Sequence, residues 1–237
     1  MGSVYLLTLS QLSGRWRLAI MAVLAALPVV ITLVMLRSAE APSVASFEST
    51  VLGAMLAGSI APLVVLAIAA VAFGNEIEDR TLANLTLSPV PRWQIAVPKL
   101  LATVSVAGLF VGASAMLTAH IAFLGEWPAT IAIAVSAVVG VAMYASMFVW
   151  LGLVSTQAIG VGLLYIVLWE GFFTSYIPGI RLFSIRYHAI ALMHGLDPRR
   201  FSADQHVDLA VAVAVAVVVI GGFLWLAVRR LRMMDVP

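Results

Sequence analysis

The chain has 237 residues, of which 63% are hydrophobic and 10% charged, with a formal net charge of +2 and no cysteine; its mean hydropathy is +1.10. A soluble domain is about half apolar and a quarter charged, so this composition excludes one. Without cysteine there is no disulfide framework, thiol nucleophile or cysteine metal site; the small net charge matters less than its distribution, and no nucleic-acid partner is expected.

Several stretches of about 20 apolar residues are long enough to cross ~30 Å of hydrocarbon. Backbone polar groups in lipid must be satisfied internally, so these spans are expected to be helices. Alternating strands of about ten residues are absent, which removes the barrel alternative. Residues 1–17 put Tyr5, Leu6, Leu9 and Leu12 on one helical face and end in Arg15, Trp16 and Arg17, the mixture of a short interfacial helix. The first span is expected over 18–36; its apolar run exceeds the roughly 7–15 residues of a signal peptide, although Ala39-Glu40-Ala41 looks like a cleavage site. A polar loop leads to a second span at 51–73. After the polar segment 74–98 come a third span at 99–124, the turn Gly125-Glu126-Trp127-Pro128, and a fourth span at 129–154. Ser155-Thr156-Gln157 turns the chain into a fifth span at 158–173, interrupted by Glu170-Gly171 and then by Pro178-Gly179. A long non-spanning stretch, 174–206, precedes a sixth span at 207–228, closed by Arg229, Arg230 and Arg232. The fold class expected is therefore an all-α membrane protein of six transmembrane helices in one domain, 1–237.

Charge sets the orientation. With the N-terminus inside, eight basic residues (Arg15, Arg17, Arg80, Arg92, Lys99, Arg229, Arg230, Arg232) fall on the cytoplasmic side and five (Arg37, Arg181, Arg186, Arg199, Arg200) outside. Counting acids, the inside carries 8 − 4 = +4 and the outside 5 − 7 = −2. The positive-inside rule then places both termini in the cytoplasm.

The segment 74–98 is too long for a plain connection. Glu76, Glu78 and Asp79 would occupy the first turn of a new helix, where the N-terminal dipole favours negative charge. Arg80 follows them. Leu82, Leu85 and Leu87 would form an apolar side, with Asn84 and Thr86 turned away. Ser88-Pro89-Val90-Pro91 would end the helix, and Arg92-Trp93 would start an interfacial helix feeding the third span. An amphipathic helix across the cytoplasmic mouth has the shape that inserts into a partner's groove.

The run E-I-E-D-R-T-L…S-P-V-P-R-W-Q-I…K-L-L from Glu76 to Leu101 resembles the signature of ABC-2-type permeases, the membrane subunits of ATP-binding-cassette exporters. The match carries onto Glu76, Glu78, Thr81, Leu82, Pro89, Val90, Arg92 and Lys99. It departs at Ile77, where a basic residue is common, and at Arg80, where glycine is common. The resemblance implies six spans with both ends inside, an N-terminal interfacial helix, a cytoplasmic coupling helix between spans 2 and 3, and re-entrant helices between spans 5 and 6. It also implies an ABC ATPase partner in two copies and a second permease chain, most simply in a homodimer. No Walker A sequence is present, since the single lysine, Lys99, follows Pro98. Cofactors are therefore expected to be none in this chain, with ATP and Mg on the partner, and the location to be the inner (plasma) membrane.

Glu170 lies roughly 20 Å along the fifth span, counting from Gln157 at about 1.5 Å per residue. Buried intramembrane charge is a functional hypothesis by default. Glu170 and Gly171 are read as lining a translocation path or forming the hinge into 174–206; the structural alternative pairs Glu170 with Arg181 or Arg186. Gly108 and Gly112 form a G-x-x-x-G for close helix packing, within or between chains. The four histidines lack metal-site spacing and read as scattered interfacial residues, so no metal and no catalytic residue is assigned. Tyr144, Trp150, Tyr165 and Trp169 suit a path for apolar cargo or ordinary packing. An intramembrane protease would need serine and histidine at matched depth, but Ser59 and Ser114 lie mid-span and His120 near the outer surface by the ~1.5 Å rise per residue. The expected function is export of an amphipathic, lipid-like or drug-like substrate, with an ATPase docked on the 76–88 helix. The alternative is a secondary transporter or channel with Glu170 in its pathway.

Overall fold

Satisfying backbone polar groups without strands leaves only helix, and the computed structural model is helical almost throughout the residues it describes, 2–37, 43–78, 91–201 and 207–233. Six helical segments are long and apolar enough to cross a membrane: Arg15–Arg37, Val44–Ala69, Trp93–Ala122, Trp127–Val154, Ala158–Tyr176 and Leu209–Met233, spans 1 to 6. α1 (Gly2–Leu12) precedes span 1, which is α2 (Arg15–Arg37). Span 2 joins α3 (Val44–Phe47), a π-helical stretch (Glu48–Ile60) and α4 (Ala61–Glu78). Spans 3 and 4 are α5 (Trp93–Ala122) and α6 (Trp127–Val154). Span 5 joins α7 (Ala158–Leu164), a second π-helical stretch (Tyr165–Phe173) and α8 (Thr174–Tyr176). A 3₁₀ turn (Pro178–Phe183) and α9 (Ile185–Leu196) lead to span 6, α10 (Leu209–Met233).

Spans 2, 3 and 4 form the centre, being 67%, 50% and 56% buried, whereas spans 1, 5 and 6 are 22%, 28% and 17% buried. Small side chains (Ala69, Ala96, Ala107, Ala115, Ala145) fill that centre, which lets backbones approach closely where lipid offers no hydrophobic drive. α5 and α6 make an antiparallel hairpin, turned at Gly125, whose φ of +85° suits glycine. Gly108 and Gly112 both face Val138 of α6; a Cβ at Gly112 would lie 3.0 Å from Val138 Cγ2. At these positions the missing side chains leave room for Val138.

Contacts define the two ends of the bundle. At one, the Phe123 ring meets Phe47 at 5.7 Å and Phe201 at 5.8 Å, and Arg200 lies over it while pairing with Glu126 at 3.4 Å. At the other, the start of α5 meets the end of α4. α1 lies along α5, with the Tyr5 hydroxyl donating to Ser105 Oγ at 3.1 Å. Its inward face holds Tyr5, Leu9 and Leu12 as expected, but Thr8 is buried in place of Leu6, which is exposed. Thr8 can turn inward because its hydroxyl donates to the Val4 carbonyl at 2.8 Å, leaving only its methyl to pack.

The helices also overrun the expected spans. Glu76 and Glu78 close α4 rather than opening a new helix, and the helix expected to start at Arg92-Trp93 runs unbroken into span 3 as α5. Extending a formed helix adds one hydrogen bond per residue, whereas a new one must be nucleated. The interruption expected at Glu170-Gly171 is likewise absent. The helix continues through both residues in π geometry and stops at Tyr176.

Candidate functional site

Two regions carry the chemistry, one at each end of the bundle. At the α4–α5 end, Lys99 is buried; its ammonium donates to the Ala72 carbonyl at 2.5 Å and sits 4.3 Å from the Phe73 ring centroid. A desolvated cation over an aromatic face gains a further attraction. Lys99 therefore clamps the last turns of span 2 to the second turn of span 3. Between them runs the segment that the motif analysis singled out. Of its residues, Asp79, Arg80, Thr81, Leu82, Leu85 and Pro89 lie outside the described residues. Glu76 and Glu78 are placed only by backbone, in the last turn of α4. Arg92 is the N-cap residue of α5, half-buried, and its Nη1 has no hydrogen-bond partner among the described residues.

At the opposite end, Glu170 is fully buried. Its Oε1 accepts from the Tyr165 hydroxyl and from the Ile185 backbone N–H, both at 3.0 Å, and its Oε2 accepts from Ser184 Oγ at 2.5 Å. Ser184 is the N-cap of α9, and its Oγ also accepts from the Tyr187 N–H at 3.1 Å. Glu170 thus supplies the carboxylate that an N-terminus attracts, from a helix 15 residues away. The local fold explains how. Tyr165 and Glu170 are five apart, which is one turn of a π-helix, so phenol and carboxylate stack on one side of span 5. α9 in turn buries Ile185, His188, Ala189, Leu192 and Met193, the i, i+3, i+4, i+7, i+8 stripe of an amphipathic helix. It lies against α6, where the Ala189 methyl would be 3.3 Å from a Cβ at Gly140.

Arg181 and Arg186 do not pair with Glu170. Arg181 donates from Nε to the Thr174 carbonyl at 3.0 Å and from Nη2 to the Ser175 carbonyl at 3.3 Å, capping the end of span 5. Arg186 lies over Gly53 and Gly58: a Cβ at Gly58 would be 3.1 Å from its Cδ, and one at Gly53 would be 3.6 Å from its Nη2. In an α-helix residues five apart diverge by roughly 140°; the π-helical stretch of span 2 brings these two glycines to one side. Gly171 is exposed, and a Cβ there would meet only the Ile166 carbonyl at 3.5 Å.

Between these groups is an open cavity of about 370 Å³, lined by Glu48, Ser49, Gly53, Thr174, Ser175, Arg181, Ser184, Arg186, Tyr187 and Ile190. Two histidines expected at the interface are buried near it. His188 Nε2 bonds the Leu182 carbonyl at 2.8 Å, and His194 Nε2 bonds Glu48 while its ring stacks on Phe201 at 5.7 Å. His120 remains exposed beside Trp127, and His206 lies outside the described residues. Tyr144 and Tyr165 each pack a ring against Phe148. Sequence reasoning missed Ser184, the surroundings of Arg186 and His194, and the clamping role of Lys99. Only Ser184 carried a signal, as a cap residue before an amphipathic run.

No match is found among curated proteins. The family model described as ABC-2 family transporter protein matches residues 13–187, from the connection before span 1 into the start of α9 and including the Lys99 clamp and Glu170 with its partners. That match covers well over half of a six-span, all-helical chain, and the chain belongs to the ABC-2 family of transporter proteins.

Proposed function

We propose that this chain is the membrane subunit of an ATP-driven exporter of amphipathic, lipid-like or drug-like molecules. ABC-2 permeases generally work with an ABC ATPase. In this reading the ATPase is a separate polypeptide that holds ATP and Mg and docks on residues 76–88. Two permease chains, most simply identical, face each other with one ATPase beneath each. Both termini are cytoplasmic and the membrane is the inner (plasma) membrane. The charge asymmetry supports this orientation, and the few charges in the spans support an amphipathic cargo over an ion.

The observation that carries the reading is the Lys99 clamp. A connecting segment transmits force only if the helices at its two ends move as one body. Lys99 joins the two helices within a few turns of the segment, so a push on it would be delivered to spans 2 and 3 together. Span 2 carries that motion to its π-helical stretch and Arg186. Glu170 supports the role of a latch between span 5 and α9 better than that of an ion carrier, since its carboxylate is occupied by three donors of its own chain.

Leu82→Asp or Leu85→Asp tests the docking assignment. Either change is expected to release the ATPase during purification while the spans keep their thermal stability. Retained ATPase binding and substrate-coupled hydrolysis in both variants would refute it.

A further inference from the structure

The cavity beside α9 has a lining with more cationic than anionic side chains. Two guanidinium groups, Arg181 and Arg186, face it against one carboxylate, Glu48. Glu48 is turned toward the His194 ring. The formal balance of the lining is 2 − 1 = +1 without His194, and every other polar side chain on it is a hydroxyl: Ser49, Thr174, Ser175, Ser184 and Tyr187. Arg181 is held by two backbone carbonyls. Arg186 is half-buried, its stem laid across Gly53 and Gly58, and among the described residues its guanidinium makes no hydrogen bond or ion pair. A partly desolvated guanidinium presents a planar fork of donors matched to carboxylate or phosphate oxygens. One held without a counter-ion at the edge of a cavity creates demand for an oxyanion. The space, about 370 Å³, is far larger than a single water molecule needs and leaves room for a phosphate with its substituent.

We propose that this cavity binds the phosphate or carboxylate of an anionic amphiphile, with Arg186 as the principal donor and Arg181 as its companion. The apolar tail would leave along span 5, whose Phe172, Phe173 and Tyr176 are exposed beside the cavity. The inference concerns binding alone and does not depend on an ATPase, so it can fail while the exporter reading stands, and the reverse.

The test uses the purified full chain in neutral detergent. Binding is measured by titration calorimetry for dihexanoyl-phosphatidylglycerol, dihexanoyl-phosphatidylcholine and inorganic phosphate. The anionic lipid is expected to bind more tightly than the zwitterionic one. Arg186→Gln is expected to weaken it by about tenfold or more, the weight of one charge-assisted hydrogen bond, and Arg186→Lys by less, because charge survives without the fork. Gly58→Leu, which places a side chain where the Arg186 stem lies, is expected to weaken binding with all charges intact. Competition by inorganic phosphate supports the site and assigns a soluble oxyanion. Failure of phosphate to compete supports the site and assigns a lipid-borne one. Equal affinity for the two lipids, or unchanged binding in a stably folded Arg186→Gln variant, would overturn the proposal.

Discussion

Removing the Glu170 carboxylate should uncouple α9 from span 5, and the size of the effect follows from its hydrogen bonds. Three donors converge on it: two hydroxyls and the backbone N–H of Ile185. A hydrogen bond to a charged group contributes about 1.5–3 kcal/mol net. In Glu170→Ala the Tyr165 and Ser184 hydroxyls can rotate toward other acceptors, but the Ile185 N–H is fixed by the helix and left buried without one. Relief of the carboxylate's own desolvation, worth several kcal/mol, offsets part of the global cost, so overall stability is a blunt readout. Local opening is sharper. Loss of one such bond corresponds to a tenfold to hundredfold rise in opening at about 1.4 kcal/mol per decade. Hydrogen exchange followed by mass spectrometry on a peptide covering 184–188 should therefore accelerate by about that factor in Glu170→Ala. Glu170→Gln should fall between, because the amide keeps one acceptor oxygen. Exchange of that peptide within about twofold of the native rate in Glu170→Ala would refute the latch. Transport should fall in Glu170→Gln while assembly with the ATPase is kept, and unchanged transport would confine the residue to scaffolding.

Three further outcomes follow from named contacts. Lys99→Met should keep the chain folded but cost about 2–3 kcal/mol, from the bond to the Ala72 carbonyl and the cation–π contact; thermal unfolding measures it, and reduced substrate stimulation of ATPase activity shows the lost linkage. Gly195→Ala would put a Cβ 2.6 Å from Leu209 Cβ and 3.2 Å from its Cα, whereas Gly108→Ala meets only Val138 at 3.9 Å. The first should destabilise by about 1–3 kcal/mol, while the second should be neutral or stabilise by up to about 1 kcal/mol, a contrast that parallel melting curves resolve. Glu48→Gln should loosen the junction of span 2 with α9 through His194, and proteolysis near residue 197 should accelerate.

The spans were legible because lipid filters composition directly: six apolar runs appear at their places, and their order survives intact. Their ends were not, since hydropathy reports what lipid accepts rather than where a helix stops. Glu76 and Glu78 are therefore polar yet remain inside α4, and Trp93 and Gln94 are interfacial yet already inside α5. The motif from Glu76 to Lys99 identified the family before any coordinates did. The second region was largely hidden. Glu170 was visible as an anomaly, but its partners lie 14 and 15 residues onward, a pairing only the return of α9 onto α6 creates. An arginine close by in sequence looked like the natural counter-ion, yet two hydroxyls and one backbone N–H took that place. Gly53 and Gly58 gave no sign of facing one arginine, because their shared side depends on π geometry. His194 looked interfacial because nothing local announces a carboxylate 146 residues away.

The chain contains no cysteine, so a single introduced thiol reports its own surroundings without background. Leu85→Cys, probed with a membrane-impermeant maleimide, measures both which side the 76–88 segment faces and whether a partner covers it. The account predicts no labelling in intact cells, labelling in inverted vesicles stripped of peripheral protein, and protection when the ATPase is restored. Labelling from outside intact cells, or full reactivity in the assembled complex, would contradict it.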